Sequence, residues 1–153
     1  MRIVPVAALL AALVAAGCGA TDHARHEAPA ADGRLAVEFP EPMRMHTLAN
    51  MRDHLAALQE IQQALAEGAF DRAADLSEKR LGMTSLQAHG AHDVAKFMPE
   101  GMQSIGTELH RSASRFAVEA ANAGATGNAR PALAALARVT QQCVACHAAY
   151  RMK

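Results

Sequence analysis

The feature that most constrains the fold is the helical spacing of apolar residues from residue 41 onward. Apolar side chains recur every three or four positions, which places them on one face of an α-helix. Gly68, Gly90, Pro99 and Gly127 interrupt this pattern, and such residues commonly end or begin helices. We therefore predict four helices, over residues 41–67, over 71–89, from Pro99 to about 122, and from Asn128 onward.

The apolar faces of the predicted helices are expected to meet in one core. On the first helix this face consists of Leu48, Met51, Leu55, Leu58 and Leu65, with Ile61 beside it. On the last helix it consists of Leu133, Leu136, Thr140, Cys143 and His147. Four helices with short connections favour an all-α fold, the antiparallel up-down four-helix bundle, which commonly holds cofactors between its helices.

The last predicted helix carries Cys143-Val144-Ala145-Cys146-His147, a CxxCH motif. This spacing is the attachment signal for a c-type haem. On a helix, Cys143 and Cys146 lie on one face, so both thiols can form thioether bonds to the same porphyrin. His147 lies four residues after Cys143 on the same stripe and is the expected proximal ligand of the iron. We therefore predict one covalently bound haem c, held at the C-terminal helix.

Other uses of this cysteine pair agree less well with the sequence. A redox dithiol is typical of a βαβ context, and the sequence gives no strand pattern. A structural zinc site needs a second pair of ligands at metal spacing, and there is no second CxxC. An ordinary disulfide would not require His147.

The composition agrees with a helical protein that holds a bulky group. The chain is 51% hydrophobic but only 3% aromatic, so a buried porphyrin would supply bulk that its own side chains lack. An ordinary bundle of Ala and Leu has the same composition. Lys and Arg together number 15, as do Asp and Glu, so the charge balance gives no indication of nucleic-acid binding. No nucleophile–base pair or acid pair lies in a motif context, and we do not expect an enzyme.

The N-terminal part of the chain is predicted to be a leader followed by a tether. Residues 1–17 combine a basic residue with an apolar run that is too short to span a membrane, as in a secretory signal peptide. Cys18 follows a lipoprotein-like cleavage box and is the expected lipidation site, whereas ordinary signal-peptidase cleavage would leave it a spare thiol. Residues 18–42 are expected to form a flexible tether. The predicted haem-binding domain, residues 43–153, then lies on the periplasmic side, with a lipid as its only membrane anchor.

On these residues the chain resembles the cytochrome c′ family, the class II c-type cytochromes, over about residues 43–153. That family carries its CxxCH near the C-terminal end of a four-helix bundle. Here the motif is followed by Tyr150 and Arg151, an aromatic and a basic residue in the family's habit. The resemblance implies that Arg151 lies near the proximal imidazole or a haem propionate, and a solvated helix end is the alternative. It also implies homodimers formed through the first two helices.

The resemblance implies two classes of function, which differ at the sixth iron position. One branch places a Met there and transfers electrons, and the other leaves an apolar residue there and binds nitric oxide or carbon monoxide. Counting from the first interhelix turn puts Met51 at the distal position, which implies low-spin iron. Met43 and Met45 are the alternatives if the register differs, and His54 would give bis-His ligation. Thr47 stands where members of the family often carry a basic residue.

The expected function is therefore electron transfer with redox partner proteins outside the cytoplasm. A gas-binding cytochrome c′ is the first alternative. A copper-handling lipoprotein is a second, because thioether and imidazole ligands together suit copper. Such residues are frequent around the second predicted loop, at His89, His92, Met98, Met102 and His110.

Overall fold

Long α-helices make up most of the computed structural model, which describes residues 32–153. The predicted leader and Cys18 lie outside the described residues. In chain order the elements are β1 Leu35–Val37, α1 Glu41–Ala66, α2 Phe70–Arg80, a 3₁₀ turn at Met83–Ser85, α3 Ala91–Ala95, α4 Glu100–Thr126, α5 Arg130–Ala149 and β2 Tyr150–Met152. The prediction of a helical fold is confirmed for the described residues. The two short strands are a feature that the sequence pattern does not predict.

Glycine and proline set several helix ends close to the predicted positions. Gly68 follows α1 and Gly127 follows α4, with positive φ angles of 71° and 72°. Glycine adopts this left-handed conformation without steric strain, which makes it a common residue just after a helix. Pro99 comes directly before α4, where its missing N–H and fixed φ are tolerated.

The connection between α4 and α5 is shorter than predicted. The expectation of a loop over 123–127 is wrong, because the Gly127 N–H donates a hydrogen bond of 2.8 Å to the Ala123 carbonyl and completes the last turn of α4. Asn128, expected to cap α5, lies one residue before Ala129, the N-cap of that helix. Its side-chain oxygen accepts a hydrogen bond of 3.1 Å from the Arg130 N–H, one of the unpaired donors of the first turn.

The predicted second helix, residues 71–89, is wrong in its second half, because α2 ends at residue 80. The N–H groups of Leu81 and Gly82 both donate to the Ser77 carbonyl at 2.8 Å, which turns the chain out of the helix. Gly82 lies so close to Glu78 that an added Cβ would overlap it. The Thr84 hydroxyl then donates to the Glu78 carbonyl at 2.8 Å. These local bonds compete with helix continuation, as Ser and Thr side chains commonly do.

The long helices pack in sequence order, with α1 on α2, α2 on α4 and α4 on α5, whereas α1 and α5 make little direct backbone contact. Together they bury what we call the alanine-rich core. Its members are Ala57, Leu58, Ile61, Ala64, Ala73, Leu81, Ala113, Phe116, Ala120, Ala123, Ala132, Leu136 and Val139. Small side chains let the helices approach closely, so a core with few large residues is nevertheless closed.

Four residues predicted on core faces are exposed instead. Leu55 on α1 is 70% exposed, Leu133 on α5 is 54% exposed, and Thr140 and His147 on α5 are also exposed. The physical reason is that alanines occupy much of the buried stripe of each helix, including Ala57 and Ala132. When only large apolar residues are counted, the predicted centre of the buried face of each helix is therefore about one residue away from its centre in the structure.

Part of the predicted tether belongs to the folded domain. Residues 35–42 form β1, a buried aromatic and the start of α1, so the expectation of a flexible tether over 18–42 is wrong for this stretch. β1 pairs in parallel with β2, with Leu35 opposite Tyr150 and Val37 opposite Met152. Val37 and Phe39 are only 4% and 7% exposed. The segment just before α1 is thus fastened to the end of the chain.

A second group of apolar side chains forms around these strands, and we call it the methionine-rich cluster. Its buried members are Val37, Phe39, Val94 and Met102, and the partly buried residues packed against them are Met43, Met98, Cys146, Tyr150 and Met152. The cluster thus joins β1, α1, α3, α4, α5 and β2 at the end of the domain where the CxxCH motif lies.

None of the helices between residues 32 and 153 is both long and apolar enough to cross a membrane.

Candidate functional site

The two cysteines of the CxxCH motif continue the buried stripe of α5. Ala132, Leu136 and Val139 are buried at successive spacings of four and three residues, and Cys143 and Cys146 follow at the next two such steps. Residues at this spacing share one helix face. Both thiols therefore point toward the same side of α5, the side that packs on the rest of the domain.

Both sulfurs are thiols in the structure, and both are half-buried. Burial raises the pKa of the Cys143 thiol, whose S–H donates to the Val139 carbonyl at 3.8 Å. Burial also raises the pKa of the Cys146 thiol, and repulsion from a Cys143 thiolate adds to this effect. The thiols are therefore protonated at neutral pH, and they are close enough to influence each other's charge.

His147 lies beside this stripe rather than on it, and its side chain is exposed. It follows Cys143 by four residues, so its side chain neighbours that of Cys143 one turn further along α5. The Arg34 guanidinium donates to the His147 carbonyl at 3.3 Å, which ties the last turn of α5 to the segment before β1. The imidazole itself is open to an incoming ligand.

Cys146 packs into the methionine-rich cluster, so the surroundings of the motif are mainly apolar. Met43, on the first turn of α1, belongs to the same cluster. Tyr150 also belongs to it, and its hydroxyl lies where a side chain on Gly101 would begin. Thioethers are flexible and polarisable, which suits them to pack against an irregular or variable neighbour.

Tyr150 and Arg151 do not continue the helix after His147. They form β2, and Tyr150 adopts extended backbone angles of −129° and 151°. Tyr150 is partly buried and Arg151 is exposed. The alternative of a frayed helix end is therefore replaced by a paired strand, and the position of Arg151 relative to a haem stays a prediction.

Met51 lies half-buried on α1 and belongs to neither the alanine-rich core nor the methionine-rich cluster. Met45 is 49% exposed. Thr47, at the position where the family often carries a basic residue, is buried, and its hydroxyl donates to the Met43 carbonyl at 2.7 Å. Of the three methionines predicted as possible distal ligands, Met43 is the one that packs in the same cluster as Cys146.

The structure separates the His and Met residues that suggested a copper site. His89 and His110 lie with His54 in a group that we call the histidine cluster, with ring centroids 4.7 to 6.0 Å apart. Met98 and Met102 pack in the methionine-rich cluster instead, and His92 is exposed. Over residues 32–153, no group of three or more His, Cys, Asp and Glu side chains is arranged to hold a metal ion. This separation does not favour copper handling, and we identify no metal ligand in the histidine cluster.

The residues of the motif fit a covalently attached haem. Two unpaired thiols share a helix face, an accessible imidazole lies one turn on, and an apolar cluster with four methionines adjoins one of the thiols. Comparisons with protein-family models, with curated proteins and with solved structures give no match.

Sequence reasoning misses the strand pair that encloses this end of the domain. Leu35, Val37 and Phe39 alternate with other residues at a period of two, which is the signal of a strand with one buried face. The signal is short and lies in a stretch that also contains prolines, so a tether is the simpler interpretation of the sequence alone.

Proposed function

We propose that this protein is an exported c-type cytochrome that carries one haem and transfers electrons. The observation that carries the proposal is the pair of free thiols at Cys143 and Cys146, on one face of α5, with His147 one turn beyond Cys143. When bound, haem supplies one-electron cycling between ferric and ferrous iron. In this proposal the two cysteines hold it by thioether bonds and His147 is the proximal ligand.

The chain's other residues orient this site and keep it dry. We propose that α1, α2, α4 and α5 form an antiparallel up-down four-helix bundle, since each of these helices packs on the next and short connections join α1 to α2 and α4 to α5. The weak contact between α1 and α5 suits a group held between those two helices. The methionine-rich cluster would exclude water from one side of the motif, and a dry environment helps set the reduction potential.

We propose Met51 as the distal ligand, as the resemblance to the cytochrome c′ family implies. Met51 is half-buried on α1 and belongs to neither the alanine-rich core nor the methionine-rich cluster, so its thioether can bind the iron without disturbing either group. Met43 is the competing ligand because it packs in the cluster that contains Cys146. We do not propose His54 as the distal ligand, since its ring packs against His89 and His110.

A gas-binding haem protein is the second candidate function. The observation that favours it is that Met51 is not packed with the residues that surround Cys146. If no thioether reaches the iron, the sixth position is open to nitric oxide or carbon monoxide. In either case we propose a periplasmic location with a lipid anchor at Cys18. An electron carrier would act through redox partner proteins, and the resemblance to the cytochrome c′ family implies a homodimer.

The test is to express the full chain with an export pathway and a cytochrome c maturation system. We expect one haem per chain by the pyridine haemochrome assay, and a mass that includes haem and the lipid on Cys18. The double variant Cys143→Ala, Cys146→Ala should lose all covalent haem, whereas Val144→Ala, an exposed residue between them, should keep it. Colourless exported protein with both thiols open to alkylation would overturn the proposal.

The ferric spectrum then separates the two candidate functions. Electron transfer with Met ligation predicts low-spin iron that becomes high-spin in Met51→Ala but not in the control Met83→Ala, an exposed methionine outside α1. If Met43→Ala or Met45→Ala converts the iron instead, the electron-transfer function stands and the distal ligand is that methionine. High-spin iron in the unmodified protein, with carbon monoxide binding to the ferrous form, would support the gas-binding alternative.

A further inference from the structure

The segment between α2 and α4 is held to the helices by a group of histidines, by the hydrogen bonds that Met83 N–H donates to the Ser114 hydroxyl and Gln103 Nε2 donates to the Met98 carbonyl, and by apolar packing. We call residues 82–98 the strap; it includes the 3₁₀ turn Met83–Ser85 and α3 Ala91–Ala95. Its far half, residues 91–98, contributes Val94 and Met98 to the methionine-rich cluster. Its near half, residues 82–90, carries His89, whose ring contacts those of His54 on α1 and His110 on α4. A change that displaces the near half is therefore expected to move Val94 and Met98 as well, and so to expose the methionine-rich cluster.

Polar contacts fix the near half of the strap at both sides. From α1, His46 Nε2 and Asn50 Nδ2 donate to the His89 carbonyl at 2.9 and 3.0 Å. From α4, His110 Nδ1 donates to the carbonyl of Leu81, just before the strap, at 2.7 Å. The Ser85 hydroxyl lies 3.3 Å from His89 Nδ1. These hydrogen bonds are lost if the imidazole rings of His46, His89 or His110 move away.

The three rings of the histidine cluster are too close together to carry charge without strong repulsion. The ring centroid of His54 lies 4.7 Å from that of His89 and 6.0 Å from that of His110. His54 Nε2 is 3.5 Å from His89 Nδ1, so two imidazolium groups would bring two N–H donors face to face. An N–H on each of these nitrogens leaves no acceptor between them.

The charged and titratable side chains that face the cluster do little to relieve this repulsion. Asp53 is the carboxylate that faces it, and Arg80 already binds that group, with Nη2 donating to Oδ1 at 2.5 Å and Nε donating to Oδ2 at 3.3 Å. The positive charge of Arg80 opposes protonation of His54, and a charged His46 would oppose protonation of His89. Burial acts in the same direction, because water cannot solvate an imidazolium there.

We propose that the strap is an acid-released latch: protonation of the histidine cluster frees residues 82–98 from α1 and α4 and uncovers the methionine-rich cluster beside Cys146. His89 is the moving part, since it is only half-buried and lies on the non-helical segment. The latch operates whether or not the chain carries haem. The effect on a haem environment is the one consequence that depends on the proposed function.

The direction of the pH effect follows from the pKa changes. Burial and repulsion from His89 lower the pKa of His54 from 6.5 to about 4, and burial also lowers the pKa of His89 and of His110. The released state takes up protons near the ordinary value, so acid favours release between about pH 6.5 and pH 4. For His54 alone, this difference raises the equilibrium constant for release roughly 70-fold between pH 7.5 and pH 4.5.

Hydrogen–deuterium exchange on the purified full chain tests the latch. Labelling is done in the presence of EDTA at pH 7.5 and pH 4.5, with times scaled to the intrinsic exchange rate at each pH. Peptides from residues 82–98 should lose protection by a factor of roughly 70 or more at pH 4.5 and regain it on return to pH 7.5. Peptides from the middle of α4 should keep theirs. Unchanged strap protection, or loss of protection in strap and α4 together, would overturn the proposal.

Variants then test whether the histidines are responsible. His54→Gln with His89→Gln removes two of the three titrating rings, and the acid loss of strap protection should shrink at least tenfold. The matched control is His92→Gln, an exposed histidine on the same strap, which should behave as the unmodified chain does. Equal acid release in the double variant and the unmodified chain would contradict the assignment.

If the double variant does not fold, the latch can be tested on the unmodified chain. The imidazole Cε1 protons can be followed by NMR between pH 8 and pH 3.5. The proposal requires three histidines that titrate well below the others, together with the acid shift of the strap amides. If His54, His89 and His110 all titrate near the ordinary value for histidine, the latch does not exist.

Discussion

The two apolar groups of this domain are built from different side chains. Seven of the thirteen buried residues of the alanine-rich core are alanine, and Phe116 is its largest side chain, with no exposed surface. The methionine-rich cluster has four buried members, and five more residues are only partly buried against them. The alanine-rich core also has six partly buried neighbours, but its thirteen buried members outnumber them, so it is the more closed of the two groups.

This difference indicates which end of the domain can accommodate a ligand. Small alanine side chains let helices pack closely, so the alanine-rich core serves to fix the helices relative to one another. Methionine side chains can change rotamer at little cost and adapt to a neighbour. The CxxCH motif lies where the stripe of α5 passes from the first kind of packing to the second, between Val139 and Cys146.

Phe116→Ala should have the largest effect on stability, because it removes the largest fully buried side chain of the closed core. We expect a loss of about 4 kcal/mol in the free energy of unfolding, from lost burial and from a cavity that the packed alanines cannot fill. Urea denaturation followed by circular dichroism measures it. A loss under about 1 kcal/mol would mean that the surrounding side chains rearrange to fill the cavity, which a closely packed core could not do.

Met102→Ala should cost less, although Met102 is also almost completely buried. We expect a loss of about 2 kcal/mol in the haem-free chain, at the low end for such a truncation, because Met43 and Met98 can move into the space. The same urea titration gives the value. A cost equal to that of Phe116→Ala would contradict the contrast between an open and a closed group.

The helices and the motif could be predicted from the sequence because their signals are local. The spacing of apolar residues and the positions of Gly68 and Pro99 suffice for the end of α1 and the start of α4, and the CxxCH spacing suffices to place Cys143 and Cys146 on one face. The early end of α2 depends on how tightly Gly82 packs against Glu78, which the pattern of residue types does not reveal.

The parts that could not be predicted depend on contacts between distant residues. β1 exists because β2, more than a hundred residues later, pairs with it, and neither strand alone has enough alternation to be recognised. Leu55 has the right spacing for a core position, yet the helix turns Ala57 and Leu58 inward and leaves Leu55 exposed. The histidine cluster joins three separate elements, so its formation cannot be inferred from spacing along the chain.

The smallest expected effect on stability comes from the contact between Gly101 on α4 and Tyr150 of the methionine-rich cluster. Gly101→Ala places a Cβ against the Tyr150 hydroxyl, and the next nearest atom of that ring, Cζ, would be 3.7 Å away. Alanine favours a helix over glycine by about 0.5–1 kcal/mol, whereas overlap in a packed site costs about 1–3 kcal/mol, so the net expectation is a loss of about 1 kcal/mol.

The matched variant Tyr150→Phe removes the overlapping oxygen and leaves the ring. In that background Gly101→Ala meets only an ordinary van der Waals contact, so the same substitution should become neutral or stabilise by about 0.5 kcal/mol. Thermal unfolding of the four chains gives the double-mutant cycle. If Gly101→Ala has the same effect in both backgrounds, Tyr150 moves aside freely, and this end of the domain is more open than the comparison of the two groups implies.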